Sequence, residues 1–297
     1  MSKILSGAGV PITSQQLYSA GHTDDIRQAL MYIAHLYPKA PLLGVGFSLG
    51  ANVVTRYIAE EGEQSRLSAA CALACPWDLA RNCNMLMSSY IGKHVYAKGM
   101  GSNLLNLLKK HSAPLSRDPE HHVARALVRA MSLKSPTLEE FDNTFTCVAG
   151  GSSPPFPFAN ATEYYNWSSS HTVLGSIRVP FLAINAADDP VVQDVPMDGA
   201  DNGNIVMVLT PKGGHLGWFE SVGASSVRRW VVQPVLEWLQ AMVQTLPSEG
   251  RLRGRPMYVD AEGFLREEGN DKTGCRELEE GAIVDGTEPE EGLLQGL

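Results

Sequence analysis

The feature that most narrows what this 297-residue chain can fold into is Gly46-Phe47-Ser48-Leu49-Gly50, read together with its flanks. Before it, Pro41–Gly46 is short and apolar without alternation, the pattern of a strand buried on both faces of a parallel sheet. After it, the stretch from Leu49 to about Glu61 carries Val53, Val54, Tyr57 and Ile58 at helical spacing. A serine between two glycines at a strand-to-helix hinge is where a nucleophile elbow has to lie. The turn is so tight that side chains at the flanking positions are expected to collide with neighbouring backbone. Ser48 is then left at the carboxyl edge of the sheet, its Oγ near the positive end of the next helix. The bare G-x-S-x-G string is weak evidence; its position gives it weight.

The surrounding grammar agrees. Residues 23–37 read as a helix, with Thr23 as cap, Asp24 and Asp25 at the positive end of the dipole, and Ile26, Ala29, Leu30, Ile33 and Tyr37 on one face. Ala69–Cys75 is a second buried strand. Helix, strand, helix, strand with short joints predicts an open α/β sheet. The alternation breaks over residues 80–170, where Leu104–Lys110, Val123–Met131 and the Gly/Ser/Pro-rich loop Gly150–Pro157 suggest a helical cap over that sheet. Strands resume at Val179–Ala187 and Ile205–Leu209. A helix is expected from about Ser226 to Leu246, with Trp230, Val231, Val235, Trp238 and Met242 as its core stripe.

A serine nucleophile needs a base and an orienting acid, and in this fold they follow in the order Ser, Asp, His. Val179–Ala187 runs into Asp188-Asp189-Pro190, an acid pair at a strand end. Beyond the next strand, Pro211-Lys212-Gly213-Gly214-His215-Leu216-Gly217 sets a histidine in a glycine-lined loop. Turn chemistry alone explains either element; three in the right order, each at a strand end, are harder to dismiss.

The stretches LYSAGHTDD (Leu17 to Asp25), GFSLGANVVTRYIAEEG, ACPWDL, INAADDP and GGHLGWFE resemble the YheT-like branch of the α/β-hydrolases, over about residues 7–246. That branch includes the mammalian membrane-anchored hydrolase-domain lipases and phospholipases. The resemblance implies an α/β-hydrolase fold and carboxylic-ester hydrolysis on acylglycerols or phospholipids. It implies Ser48, Asp189 and His215 as the triad, with Asp188 in reserve, and the Leu49 N–H as an oxyanion donor. It calls for no metal and no organic cofactor. Two departures stand out. Members of the branch carry an anchor helix, several strands and an oxyanion loop ahead of the GAGVPIT-like segment, whereas only Met1–Ser6 precede Gly7 here. The expectation is an N-terminally truncated sheet lacking one oxyanion donor. The Glu-rich tail has no match in the branch.

Charge bounds the partners. Of the net charge of −8, residues from Ser248 onward carry 13 acidic and 6 basic side chains, or −7, which leaves −1 for the rest. A nearly neutral body (1–247) with an acidic tail (248–297, expected to be mostly disordered) offers no footprint for nucleic acid. Five cysteines in so long a chain do not form a disulfide framework, and no Cys/His spacing suggests zinc. No run approaches the ~18 apolar residues of a membrane span, and the start lacks the apolar core of a signal peptide, so a soluble or peripheral protein is expected. Leu104, Leu105, Leu107 and Leu108 with Lys109 and Lys110 could contact a lipid surface, although core packing explains them better. Two functions therefore compete: a serine ester hydrolase taking a small lipid or ester substrate, and a catalytically impaired form with a binding or regulatory role.

Overall fold

The computed structural model describes residues 12, 14–223, 226–245 and 254–277. Its centre is a four-stranded parallel sheet in the order β1 (Leu42–Phe47), β2 (Leu67–Leu73), β3 (Phe181–Ala186), β4 (Ile205–Thr210). Each strand lies within about two residues of its expected position. Every residue of β2 and β3 is buried, which is why neither shows alternation in the sequence.

Helices cover both faces. On one, α2 (Leu49–Glu61) packs Tyr57 and Ile58 against Leu67, Ala70, Ala72 and Phe181, and α1 (Asp24–Leu36) adds Ile26 and Leu30. On the other, Cys71, Leu73, Leu182 and Ile184 meet Trp218, Val231 and Val235. From Ala70 to Leu73 the alternate residues of β2 thus feed different cores, as the two-residue period of a strand requires, while Leu67 joins the first core beyond the register shift opposite Leu42 and Leu43.

The cap over residues 79–170 is helical. It includes α3 (Leu79–Ser88), α4 (Lys98–Lys110), α5 (His122–Met131) and α6 (Ala161–Ser168), with π-helical stretches at Gly92–Ala97 and Asp142–Thr146. It has its own core of Leu105, Leu108, Leu115, Val123, Leu127, Phe141 and Phe145. The leucines of α4 are therefore packing residues. Among the described residues no helix is long and apolar enough to cross a membrane.

Two expectations fail. Residues 226–229 are not helical: they form β6 (Ser226–Arg229), antiparallel to β5 (Phe219–Val222), and the helix α7 starts only at Val232 and ends at Thr245. Pro234 explains the boundary, because a proline ring clashes with the carbonyl four residues earlier and is tolerated only in a first turn. Nor is the acidic tail without structure throughout. β7 (Met257–Val259), β8 (Leu265–Glu267) and β9 (Asn270–Cys275) form an antiparallel sheet. It docks through a buried ion pair, Arg66 Nη2 to Glu267 Oε1 at 2.7 Å, while Arg66 also donates to the Arg255 carbonyl. Leu265 is buried beneath it. The rest of the expected tail, residues 248–253 and 278–297, lies outside the described residues.

Candidate active site

Ser48 sits between β1 and α2 with φ +48° and ψ −119°, a backbone conformation that L-residues avoid. The surroundings enforce it. The Ser48 N–H donates to the Leu73 carbonyl at 2.8 Å, tying the elbow to the end of β2. A Cβ on Gly46 would lie 2.5 Å from Ala51 Cα and 2.6 Å from the Gly50 carbonyl oxygen, so only glycine lets α2 turn back this closely. Gly50 is different, since a Cβ there meets nothing within 4 Å. The expectation that both glycines are sterically required holds at position 46 and fails at position 50. Leu49 N–H is the first amide of α2, with no carbonyl of its own helix in reach.

His215 Nε2 lies 2.8 Å from Ser48 Oγ, and His215 Nδ1 lies 2.8 Å from Asp189 Oδ2. The side chains of His215 and Asp189 are 5% and 0% exposed. A carboxylate can only accept, so Nδ1 carries the proton and Nε2 is left to accept from the serine hydroxyl. Asp189 is itself oriented: its Oδ1 accepts the backbone N–H groups of Val191 and Val192 at 2.8 and 3.0 Å. Asp188 points elsewhere, its Oδ1 accepting the Gly214 N–H at 2.8 Å. The two neighbouring carboxylates thus divide their work, one on the imidazole ring and one on the loop that carries it.

That loop is tightly wound. Gly214, Leu216 and Trp218 all have positive φ, and the N–H groups of Gly217 and Trp218 converge on the Gly213 carbonyl. Trp218 Nε1 donates to Thr210 Oγ1 at 2.9 Å, anchoring the loop to the end of β4.

A second Ser–His–Asp grouping shows what the first one has. His22 Nε2 lies 3.1 Å from Ser152 Oγ and 3.3 Å from Asp24 Oδ2. One nitrogen faces both partners, so the ring cannot donate to the acid while accepting from the serine. The four buried cysteines are also poor nucleophiles; burial pushes the thiols of Cys71 and Cys75 up to about 12. Among the described residues no three His, Cys, Asp or Glu side chains group to hold a metal ion.

A cleft of about 400 Å³ opens beside the elbow, its walls mainly apolar (Tyr18, Ile26, Val45, Phe47, Leu49 and Val53) with Ser19, His22 and Asp25 among them. Several polar residues that sequence reasoning passed over hold the site together. Asn52 Nδ2 donates to the carbonyls of Ala20 and Ser168, both at 2.9 Å, and Arg56 donates to Gly21 and Trp167. Asn185 accepts from Trp77 Nε1 beneath the Asp188-Asp189 turn. Each is a polar residue inside an otherwise apolar helix or strand, and that is the signal that could have found them.

No family model matches the chain. It is 32% identical over 241 residues to the monoacylglycerol lipase of Saccharomyces cerevisiae, covering 80% of this chain and 51% of that protein. It is 32% identical over 244 residues to the medium-chain fatty acid ethyl ester synthase/esterase 2 of the same yeast, covering 76% of this chain and 51% of that protein. It is 26% identical over 247 residues to phospholipase ABHD3 of Mus musculus, covering 80% and 54%. The chain spans about half the length of these curated relatives.

Proposed function

This chain is a member of the α/β-hydrolase superfamily, of its lipase and phospholipase type, and from that footing we propose that it is a serine carboxylic-ester hydrolase. Ser48 is the nucleophile, His215 the general base and Asp189 the orienting acid. His215 Nε2 takes the Ser48 Oγ proton as Oγ bonds to the acyl carbonyl carbon. The carbonyl oxygen becomes an oxyanion facing the Leu49 N–H and the positive end of α2. Collapse of this intermediate expels the alcohol, which takes its proton from His215. Water, deprotonated by the same nitrogen, then frees the acid and restores Ser48. These steps use no metal and no organic cofactor.

The observation that carries the proposal is the unbroken chain from Ser48 Oγ to His215 to Asp189, 2.8 Å at each link and on two different ring nitrogens. The substrate class rests on two further supports. Relatives bear the names monoacylglycerol lipase and phospholipase. The mainly apolar cleft beside Leu49 suits an acyl chain better than a charged or sugar-like group. Acylglycerols or phospholipids are therefore the proposed substrates.

A fluorophosphonate probe tests the reading, because it labels only an activated serine. Wild-type chain should take up one adduct, located on the Ser48 peptide by mass spectrometry, and Ser48→Ala should take up none while keeping its unfolding temperature. Labelling that survives in Ser48→Ala refutes the nucleophile. A folded wild type that neither labels nor hydrolyses a soluble short-chain ester favours the binding or regulatory alternative.

A further inference from the structure

We propose that Asn82, on the cap helix α3, is a positioning residue for Asp189: it holds the turn that follows the acid, so the seating of the cap sets the aim of the triad. The inference rests on the Ser48–His215–Asp189 assignment of the proposed function and adds a residue to it.

The turn itself creates the need for an outside hold. Its first amides, those of Val191 and Val192, donate to Asp189 Oδ1 at 2.8 and 3.0 Å. The Asp189 N–H donates to the Ala186 carbonyl at 3.2 Å, and Gln193 Nε2 to the Pro190 carbonyl at 3.1 Å. All four bonds are local. They fix the shape of the turn and the carboxylate within it, yet they travel with the turn and leave its position over the imidazole open. Val192 is buried, but apolar contact is not directional. Among the described residues, the hydrogen bond and the ion pair that residues 190–194 make with a distant element both come from α3. Asn82 Oδ1 accepts the Gln193 N–H at 3.4 Å, and Arg81 Nη1 lies 3.1 Å from Asp194 Oδ2. Neighbouring residues of the helix thus meet neighbouring residues of the turn. The Asn82 bond is long and Arg81 is exposed, so neither adds much stability; what they supply is direction.

α3 is a firm reference for that purpose. Its N-cap, Asp78, accepts the Arg81 N–H at 2.9 Å, and the Leu79 N–H donates to Ser169 Oγ at 3.0 Å. Just before it, Trp77 Nε1 donates to Asn185 Oδ1 at 3.1 Å, on the strand that leads to Asp189. Leu79, Ala80, Cys83 and Met87 of α3 share an apolar cluster with Leu49, the residue after the nucleophile. The helix is therefore tied to the elbow through one flank and to the acid turn through another.

Asparagine is a costly choice at this position. Asn82 is 6% exposed, and its Nδ2 is buried with no hydrogen-bond partner among the described residues. A buried amide with idle donors lowers stability, and an apolar side chain of similar size carries no such penalty. A residue that breaks the packing rule is expected where geometry serves function. The part of the Asn82 side chain in use is its acceptor oxygen, and it is used on the acid turn.

The test pairs kinetics with a proton resonance in the full chain. Asn82→Leu removes the acceptor and the idle amide together and keeps the bulk; the freed Gln193 N–H meets water, because Gln193 is exposed. This variant should unfold at the wild-type temperature or above it. On a soluble short-chain ester it should keep KM within about twofold and lose about tenfold in kcat, the cost of a small displacement of one triad member. Asn82→Asp keeps an acceptor oxygen in place, so its buried charge should lower the unfolding temperature while kcat stays within about threefold of wild type. A merely structural Asn82 predicts that rate follows stability in both variants. The His215 Nδ1 proton, held between the ring and Asp189, gives a downfield resonance that needs no substrate. It should be sharp in wild type and in Asn82→Asp, and broadened or lost in Asn82→Leu. Three results overturn the proposal: wild-type kcat in Asn82→Leu, a loss of rate that only follows a loss of stability, or a resonance unchanged in Asn82→Leu. With Ser48→Ala inactive in the same assay, any of the three removes Asn82 and leaves the triad standing. Turnover that survives in Ser48→Ala instead strikes the nucleophile, and the resonance alone then decides whether Asn82 positions Asp189.

Discussion

The two glycines of the elbow should respond oppositely to the same one-carbon change. At Gly46 an added Cβ lies 2.5 Å from Ala51 Cα, 2.6 Å from the Gly50 carbonyl oxygen and 2.8 Å from Ala51 N. All three are backbone atoms, so no rotamer relieves the contact. Non-bonded heavy atoms need at least about 3.0 Å, and ordinary contact starts nearer 3.4 Å. The first turn of α2 must therefore retreat by between 0.5 and 0.9 Å from its position against β1. Overpacking of this kind costs about 1–3 kcal/mol of stability. The kinetic cost is larger, because Ser48 moves relative to His215 and a misplacement of about 1 Å costs roughly 10² in rate. At Gly50 the added methyl enters open space within the first turn of α2, where alanine is favoured over glycine by about 0.5–1 kcal/mol. Gly46→Ala should thus unfold at lower temperature and lose about 10² in short-chain ester hydrolysis. Gly50→Ala should unfold at the same or slightly higher temperature and keep its rate within about twofold. Thermal melts and initial rates on one preparation of each variant decide it. A fully active Gly46→Ala, or a Gly50→Ala as damaged as Gly46→Ala, refutes this account of the elbow.

The remaining expectations concern single side chains. Asp189→Asn should lower turnover by about 10⁴, because the ring loses the acceptor that fixes its tautomer; Asp188→Asn, whose amide oxygen still accepts from Gly214, should cost less than about tenfold, and steady-state rates rank the two. Glu267→Ala takes from Arg66, which is buried with it, its carboxylate partner, and should cost up to about 3–5 kcal/mol in denaturant unfolding or release residues 254–277 to limited proteolysis; an unchanged variant would show that the C-terminal sheet docks by other contacts. Asp142 is buried and accepts from Thr146 and Tyr165, and burial pushes its carboxyl from 3.8 up to about 6. The folded state therefore holds this proton more tightly than the unfolded chain, and stability falls as pH rises from about 4 through 6. At about 1.4 kcal/mol per pH unit the loss reaches up to about 3 kcal/mol, so Asp142→Asn should be more stable than wild type at pH ~8 and no more stable at pH ~4.

What could be read in the sequence tracks how local each signal is. β1, β2, β3 and β4 announced themselves because a strand buried on both faces needs an unbroken apolar run. The helix after the His215 loop looks longer in the sequence than it is because Val227, Trp230 and Val231 continue its apolar spacing backward. Cross-strand pairing of Val222 with Ser226 and Phe219 with Arg229 outweighs that periodicity, and no local pattern encodes it. The C-terminal sheet is hard to read in the sequence although Asp260-Ala-Glu-Gly263 and Glu268-Gly269 are hairpin turn sequences, with φ of +81° at Gly263 and +78° at Gly269. Its strands are only three to six residues long, two of the three are mostly polar, and Arg66, which ties the sheet to the body, lies about two hundred positions earlier. Ser48, the Asp188-Asp189 pair and His215 were legible because each occupies a strand end. The division of labour between the two aspartates was not, since it depends on which carboxylate faces the ring.

The polar residues of α2 explain how a strained serine can be held still. An elbow at φ +48° relaxes unless the elements on either side are fixed from outside. β1 is fixed by its pairing with β2, but α2 makes only its own hydrogen bonds along its axis. Its buried side presents Asn52 and Arg56, one turn apart, and these bind the backbone of two segments distant in sequence, Ala20–Gly21 and Trp167–Ser169. Arg56 further pairs with Glu60 at 2.9 Å and stacks on Trp167, 4.9 Å from its ring centroid. Apolar side chains there would bury as much area, yet they would take these hydrogen bonds from the carbonyls of Ala20, Gly21, Trp167 and Ser168 and let the helix slide along its ridges. Directional bonds remove that freedom. Ser48 Oγ and the Leu49 N–H are then fixed relative to each other by α2 and relative to His215 by the sheet, the condition under which a single amide can meet an oxyanion without reorganising.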